Sequence, residues 1–278
     1  MQAKTPVFRS VFIISDGTAI TAETLGHSVL SQFPDVDFRL HVVPYVDSEA
    51  RAMEVVMQIN AAALQDCCRP IVFDALVDPD IRAIINTANA FNLDMFEGLV
   101  GRISDELGIA PHPRVGHSHS AVDSEDYKSR IDAVHFALDN DDGARTRHYD
   151  MADIILIGVS RSGKTPTSIY LALQFGIRAA NYPLTEDDID DNRLPAVLRP
   201  YRNKLFGLMI DADRLVAIRN ERKANSRYAS YAQCQKELRA VEGIFITEGV
   251  RSLDVSEMSV EEIATRIIQI TGLKRRIG

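Results

Sequence analysis

The sequence predicts an α/β fold in which largely parallel strands are covered by helices, and two observations carry this prediction. Short apolar runs alternate with amphipathic segments along most of the 278 residues, which is the pattern of repeated strand–helix units. The composition, 46% apolar and 25% charged, is that of a soluble globular protein with a substantial core. A chain of this length holds one large α/β domain or two smaller ones.

The predicted strands are short apolar runs that end at a turn. Residues 7–15 are the first of them, and Asp16-Gly17-Thr18 supplies the turn that follows. Residues 151–157 (MADIILI) are the clearest strand in the chain, because the run is short and largely apolar. The remaining strands are predicted at residues 38–43, 70–73, 178–181, 205–210 and 244–247.

The predicted helices show apolar residues at helical spacing, and two of them begin with a residue suited to a first turn. Asp47 or Ser48 is suited to cap a helix that runs to about residue 65, because both side chains accept bonds from free backbone N–H groups. Pro79 suits the first turn of the next helix, which is predicted to continue through residue 91. The other helices are predicted at residues 19–33, 125–138, 166–175, 212–223, 229–241 and 260–271.

Two segments without periodicity interrupt the alternation. Residues 108–121 (GIAPHPRVGHSHSA) predict a surface loop. Residues 139–147 (DNDDGARTR) are polar, charged and turn-forming, as linkers are. We therefore predict two α/β domains with a boundary near residue 145, the first at residues 1–145 and the second at residues 146–278.

Charge and cysteine content exclude several classes of protein. The formal net charge of −8 argues against non-specific nucleic-acid binding, which needs a basic field. Cys67, Cys68 and Cys234 provide neither a disulfide framework nor a four-ligand zinc spacing. No apolar stretch reaches the ~20 residues of a bilayer span, and the N-terminus has no secretory signal pattern. We expect a soluble, cytoplasmic protein that does not bind membranes.

A phosphate-binding loop of the pattern G-x-x-x-x-G-K-[ST] follows the strand at residues 151–157. Because a strand leads in and a helix leads out, backbone N–H groups at the helix start are predicted to surround a phosphate, and the helix dipole favours its charge. Lys164 is predicted to reach the terminal phosphates and the Thr165 hydroxyl to coordinate Mg²⁺. The alternative is a strand-to-helix turn that only resembles the motif. The loop consists of Gly158, Val159, Ser160, Arg161, Ser162, Gly163, Lys164 and Thr165.

Asp211 is the candidate for a second Mg²⁺ ligand and for a catalytic carboxylate. It ends the apolar run at residues 205–210, and phosphate-loop enzymes take such a carboxylate from the end of a neighbouring strand. Asp213 lies close by in the sequence. An equally weighted alternative is that Asp211 caps the helix beginning at residue 212, since aspartate favours that position.

A basic stretch follows Asp211 in this acidic protein. Arginine suits phosphate recognition, so one or two of these side chains are expected to reach the phosphate site, although any single one is better explained as part of a solvated helix face. The stretch contains Arg214, Arg219, Arg222, Lys223 and Arg227.

Two further segments admit more than one interpretation. His112, His117 and His119 have a spacing that only weakly indicates a metal, so we interpret their loop as a surface or partner-contact segment. Asp16-Gly17-Thr18 lies at the carboxyl end of a strand, where α/β folds place ligands. It is equally suited to hold a phosphate or substrate hydroxyl and to form a turn with a helix cap.

Several segments resemble a known family, the regulatory proteins of phosphoenolpyruvate synthase and of pyruvate, phosphate dikinase. The most specific segment joins the phosphate loop and its helix (GVSRSGKTPTSIYLA, residues 158–172) to ANYPL at residues 180–184. The resemblance covers nearly the whole chain. Its other segments are SDGTAITAET at 15–24, DDG at 141–143, FGL at 206–208, IR at 218–219, Arg222, NSRY at 225–228 and EEIA at 261–264.

The resemblance implies a bifunctional enzyme and a P-loop kinase-like second domain. Such proteins use ADP to phosphorylate a threonine near the catalytic histidine of the target, and reverse this with inorganic phosphate, releasing pyrophosphate. Gly163-Lys164-Thr165 in the loop, followed by Thr185-Glu186-Asp187-Asp188, is nearer to regulators of the synthase than of the dikinase. The resemblance also implies a homodimer.

Three hypotheses about function follow. The leading one is an ADP-dependent protein kinase and phosphate-dependent pyrophosphorylase acting on phosphoenolpyruvate synthase, with one phosphate cradle serving both directions. A small-molecule kinase and a non-catalytic nucleotide-sensing module are the alternatives. The group that accepts the threonine proton is not identified by the sequence, and Asp16 and Asp211 are its candidates.

Overall fold

The computed structural model describes residues 7–112, 124–143, 145–189, 193–224 and 226–276. These residues form two four-stranded sheets in which every strand pair is parallel, and helices flank both sheets. The predicted α/β class with two α/β domains is confirmed.

The first sheet has the strand order β2-β1-β3-β4. Its strands are β1 (Val7–Ser15), β2 (Val36–Val43), β3 (Ile71–Ala75) and β4 (Phe91–Asp94). The connecting helices are α1 (Ile20–Leu30), α2 (Glu49–Gln65) and α3 (Pro79–Ile85), and α4 (Glu97–Leu107) follows the last strand. Ser48 caps α2 by accepting a hydrogen bond from the Arg51 backbone N–H, as one of the two predicted caps.

The second sheet has the order β6-β5-β7-β8. Its strands are β5 (Ile154–Gly158), β6 (Ala179–Pro183), β7 (Leu205–Met209) and β8 (Ser252–Asp254). The helices are α5 (Ser124–Asp139), α6 (Lys164–Phe175), α7 (Glu186–Ile189), α8 (Ala212–Arg222), α9 (Tyr231–Glu248) and α10 (Val260–Thr271). Short 3₁₀ helices lie at Asp141–Gly143, Thr146–Met151, Arg199–Lys204 and Arg227–Ala229.

Contacts divide the chain into two compact units, Met1–Ser120 and Ala121–Gly278. By this division α5 belongs to the second unit, whereas the boundary predicted near residue 145 assigned it to the first. The physical reason is that α5 packs against α6 and β6, burying Ala133 and Ala137 beside Ala172. Residues 139–147 therefore connect two elements within one unit and do not link the units.

Each sheet is covered on both faces. Along β1, Phe12 and Ile14 join one apolar cluster while Val11 and Ile13 join another, because successive strand residues point to opposite faces. In the second unit all five residues of β5 are buried. This arrangement leaves the carboxyl edges of the parallel strands as the place where loops are free to form a site.

Two predicted elements are wrong. Residues 244–247, predicted as a strand, form the last turns of α9, whose buried side chains Leu238, Val241, Ile244 and Phe245 recur at helical spacing. The helix predicted to reach residue 91 ends at Ile85, and Phe91 begins β4. The short edge strands β4 and β8 and the helix α4 were not predicted.

Across the described ranges, none of the helices combines the length and apolar character needed to cross a bilayer.

Candidate phosphate-binding site

The predicted loop connects β5 to α6, with Gly158 as the last residue of β5 and Lys164 as the first of α6. Gly158 is required by close packing, since a Cβ there would lie 2.5 Å from the backbone oxygen of Leu208 in the neighbouring strand. Any side chain would push the loop away from β7. The sheet therefore fixes where the loop begins.

The loop ends in a helix start whose N–H groups receive no side-chain cap. Gly163 occupies the N-cap position at φ 85°, in the left-handed region that glycine adopts without steric conflict. Arg161 also has a positive φ, of 77°, which is strained for a residue with a side chain. Uncapped N–H groups at a helix N-terminus form a site for an anion, and a strained loop is typical of binding sites.

Lys164 is almost fully buried, with 4% of its surface exposed, and lies within the loop. Its Nζ donates a hydrogen bond to the Val159 carbonyl oxygen at 2.8 Å. Burial lowers the pKa of Lys164 to about 8, against the opposing effect of the Asp142 and Asp141 carboxylates. The lysine is thus a desolvated cation near a helix N-terminus, and an anion bound beside it would raise its pKa again.

A cavity of about 320 Å³ opens in front of the loop. Ser162 lies at its base, 1% exposed, and its hydroxyl has no hydrogen-bond partner among the described residues. The lining combines the cationic side chains Arg161, Lys164, Arg214 and Arg222 with apolar ones. The apolar side chains are those of Ile210, Ile218, Val255, Met258, Val260 and Ile263.

Thr165 is held by a carboxylate that the sequence analysis did not assign to the site. Its hydroxyl donates to Asp141 Oδ1 at 2.7 Å, and the fully buried Asn181 donates through Nδ2 to the same oxygen at 2.5 Å. Asn181 Oδ1 in turn accepts from the Asp142 backbone N–H at 3.0 Å. Asp142, which lines the cavity, has left-handed dihedrals of φ 48° and ψ 33°.

The signal that pointed to Asp141 was the DDG segment at residues 141–143, which carried part of the family resemblance but no stated role. The contact joins residues 24 positions apart, so it arises only when α5 and α6 pack together. A hydroxyl and a carboxylate oxygen side by side are hard oxygen donors of the kind that Mg²⁺ prefers, so these two residues fit a magnesium site.

Asp211 lies at the N-cap position of α8. Its Oδ1 accepts a hydrogen bond from the Arg214 backbone N–H at 2.7 Å, and its own N–H donates to Ser256 Oγ at 2.8 Å. This is the helix-cap alternative raised from the sequence. Its neighbour Ile210 lines the cavity, and Asp211 itself does not belong to the lining.

The basic stretch divides by role. Arg214 and Arg222 line the cavity, whereas Arg219 is fully buried behind the loop. Arg219 pairs with Glu237 at 2.6 Å, donates to the Ser160 carbonyl oxygen at 3.2 Å and lies 4.1 Å above the Tyr228 ring. It therefore supports the loop backbone from within the core.

The remaining candidates lie elsewhere. Asp16 belongs to the first unit, where its carboxylate accepts a hydrogen bond from the Val77 backbone N–H at 2.7 Å. His112 is exposed, and His117 and His119 lie outside the described residues. Over the ranges that the structure describes, no group of three or more histidine, cysteine or acidic residues is arranged to hold a metal.

Comparison with known proteins identifies the family that this sequence matches. The sequence profile described as kinase/pyrophosphorylase matches residues 11–268. A protein of Acinetobacter baumannii named "Putative phosphoenolpyruvate synthase regulatory protein" is 72% identical over 270 residues, which cover 97% of each chain. Proteins of the same name from Acinetobacter baylyi and Psychrobacter cryohalolentis are 72% and 67% identical and cover 97% and 96% of their own lengths.

Among solved structures, an ABC transporter solute binding protein from Burkholderia multivorans matches 87% of this chain and 94% of its own at 12% identity. Its TM-score of 0.23 is too low to bear on fold or function. The resemblance found in the sequence is thus confirmed by the profile and by the curated relatives. The chain belongs to the kinase/pyrophosphorylase family.

Proposed function

We propose that this protein transfers phosphoryl groups to and from phosphoenolpyruvate synthase. In one direction it uses ADP to phosphorylate a threonine near the catalytic histidine of the synthase, and in the other it removes that phosphate with inorganic phosphate. The observation that carries the proposal is the phosphate loop, with its uncapped helix start and buried Lys164, in a chain of this family. The name of these relatives supports the synthase as the target.

The cavity in front of the loop has the two kinds of surface that a nucleotide needs. Its cationic side chains, among them Lys164, Arg214 and Arg222, suit two phosphates. Its apolar side chains, among them Val255 and Ile263, suit a purine ring. The volume of about 320 Å³ lies within the range of small-ligand sites.

The proposed reaction balances in both directions. In the kinase direction the threonine oxygen attacks the β-phosphorus of ADP, the bond from that phosphorus to the bridging oxygen breaks, AMP leaves, and the hydroxyl proton is released. In the reverse direction an oxygen of inorganic phosphate attacks the phosphothreonine phosphorus. The bond to the threonine oxygen breaks, that oxygen takes up a proton, and pyrophosphate forms.

One loop serves both reactions because each passes through a phosphoryl group flanked by a second phosphate. Such transfers need in-line placement and neutralisation of charge more than covalent help from the protein. Lys164 and the N–H groups at the start of α6 supply that charge in either direction. Thr165 and Asp141 would hold Mg²⁺, which when bound neutralises phosphate charge.

The test is to incubate the purified protein with phosphoenolpyruvate synthase and ADP, and to look for phosphothreonine and AMP. Phosphate is then added to the modified synthase, and pyrophosphate is measured. We expect modification with ADP and its reversal with phosphate. Modification with ATP and not ADP would contradict the proposal. Turnover of a small acceptor without the synthase would indicate a metabolite kinase, and nucleotide binding without any transfer would indicate a sensing module.

A further inference from the structure

A second cavity, of about 380 Å³, lies beside the phosphate loop within the same unit. Of the loop residues only Ser160 lines it, and Ser160 also lines the first cavity. Lys164 and Thr165 line the first cavity alone. Ligands in the two cavities would therefore meet at Ser160, whose Oγ lies 3.0 Å from the hydroxyl of Tyr228.

The second cavity differs from the first in its charge. Its two cations are already paired, Arg219 with Glu237 at 2.6 Å and Arg227 with Glu186 at 3.8 Å. A phosphate or nucleotide would find no net positive charge there, whereas the first cavity offers several cations. Pro183, Leu184 and Tyr228 supply apolar groups to its lining.

Polar groups at this cavity are spaced among apolar ones. The exposed Thr185 and Glu186 line the cavity together with Arg227, whose guanidinium lies 3.8 Å from the Glu186 carboxylate. The Tyr228 hydroxyl lies 3.0 Å from Ser160 Oγ, and the Gln233 amide donates to Glu237 at 2.9 Å and to Glu186. Neutral surface with scattered donors and acceptors suits a polypeptide, whose backbone groups need partners and whose side chains need apolar contact.

We infer that the second cavity binds the hydroxyl-bearing segment of the protein substrate, while the first holds the phosphate donor. Phosphoryl transfer requires donor and acceptor to approach one phosphorus from opposite sides, and two cavities that meet at one loop residue provide this. The inference rests on the proposed function and deepens it. In the reverse direction the phosphorylated segment would enter by the same cavity, with inorganic phosphate in the first.

The variant that tests this is Arg227→Glu, because the side chain of Arg227 is 81% exposed, so we expect its replacement to leave the fold intact. The matched control is Arg239→Glu, the same charge change at an exposed position on α9 away from both cavities. For Arg227→Glu we expect KM for the synthase to rise about tenfold or more in both directions. The Kd of ADP, from calorimetry, and the KM for phosphate should stay within about twofold of wild type.

A second variant, Tyr228→Phe, keeps the ring against Arg219 and removes the hydroxyl that meets Ser160. It should lower kcat with the synthase while ADP still binds. A weaker Kd for ADP with unchanged KM for the synthase would assign the cavity to the nucleotide and overturn the inference. A change confined to KM for phosphate would make it a phosphate subsite.

If the wild type modifies the synthase and both variants keep its KM and kcat, this inference alone is overturned. A wild type that does not modify the synthase with ADP would overturn the proposed function and the inference with it.

Discussion

The two units share a sheet topology but differ in the loop that follows the first strand. In each sheet the first strand along the chain is central, the second lies on one side of it, and the third and fourth on the other. In both units the loop after that first strand ends in a left-handed N-cap residue, Ala19 at φ 63° before α1 and Gly163 at φ 85° before α6. Neither helix receives a side-chain cap.

The loops differ in what their polar groups contact. In the first unit Ser15 Oγ accepts a hydrogen bond from the Gly17 N–H, and the Asp16 carboxylate accepts one from the Val77 N–H. These polar side chains of the loop are therefore hydrogen-bonded to backbone groups of the same unit. In the second unit the Ser162 hydroxyl has no hydrogen-bond partner among the described residues. The Lys164 Nζ donates a hydrogen bond to the Val159 carbonyl oxygen.

The electrostatics differ as well. The helix start in the first unit stands near carboxylates, Asp16 in the loop and Glu23 in the first turn of α1. In the second unit Lys164 opens the helix and Arg214 and Arg222 face it across a cavity. The two units thus share the topology that positions the loop, and in the second unit this position also carries an unpartnered hydroxyl and cationic side chains, which suit an anion.

The largest effect should come from Lys164→Ala. Since the proposed function uses one phosphate cradle in both directions, we expect kinase and pyrophosphorylase rates to fall together, each by about a thousandfold. The matched change in the first unit is Thr18→Ala, at an exposed position of the corresponding loop, which should leave both rates unchanged. Both rates are measured with the synthase. Loss of the kinase direction alone would contradict a single shared cradle.

Glycine at the start of each loop provides a second contrast. Gly158→Ala places a methyl group 2.5 Å from the Leu208 backbone oxygen, whereas a Cβ at Gly17 meets only Ser15 Oγ at 3.8 Å. We expect Gly158→Ala to lower the free energy of unfolding by about 3 kcal/mol and to abolish ADP binding. Gly17→Ala should change stability by less than about 1 kcal/mol. Urea unfolding and calorimetry distinguish them, and equal effects would show that loop packing does not differ between the units.

Substitutions of two aspartates in the second unit distinguish a role at the phosphate site from a role in the fold. Asp141→Asn removes the charge beside Thr165, so we expect both rates to fall about a hundredfold and the Mg²⁺ concentration required for half-maximal rate to rise. Asp211→Asn keeps a good N-cap for α8, so rates and stability should stay close to wild type. The reverse outcome would return the metal role to Asp211, as the sequence analysis proposed.

The sequence was informative where a signal is local. The strand, loop and helix from β5 to α6 follow from one apolar run and one motif, and α10 has the predicted bounds because Ser259 and Glu262 form a capping box at its start. The phosphate loop needs no distant residue to be recognised. Its backbone conformation follows from Gly158 and Gly163.

The sequence was uninformative where tertiary contacts determine the role or conformation of a residue. The carboxylate beside Thr165 comes from a segment that α5 brings to the sheet, and no spacing rule predicts that approach. Asp211 fits a cap and a metal ligand equally well until the position of α8 is known. Residues 244–247 (IFIT), three of them apolar, suit a strand or a helix end, and in the structure they belong to α9. The edge strands β4 and β8, of four and three residues, are too short for a period to appear.

A smaller effect should appear in the stability of Lys164→Met. Folding buries this cation and lowers its pKa from 10.5 to about 8, so the charged lysine destabilises the folded chain at neutral pH. We expect the variant to be more stable than wild type by about 2 kcal/mol at pH 7. As pH rises from about 8 towards 10.5, Lys164 loses its proton in the folded wild type before it does so in the unfolded chain. The difference in free energy of unfolding between variant and wild type should therefore narrow. Urea titrations across this range test the sign, and a gap that widens would contradict it.

The smallest effect returns to the loop of the first unit. Asp16→Ala leaves the Val77 N–H without its acceptor, and a part-buried donor that loses its partner destabilises the fold by about 1 kcal/mol. Asp16→Asn keeps an acceptor oxygen at the same place and should recover most of that loss. Because the hydrogen bonds of this loop stay within the first unit, and the proposed reaction takes place at the phosphate loop of the second, both variants should retain wild-type Kd for ADP and wild-type transfer rates. If Asp16→Asn kept full stability yet lost transfer in both directions, the carboxylate would have a chemical role, and the first unit would contribute to the reaction.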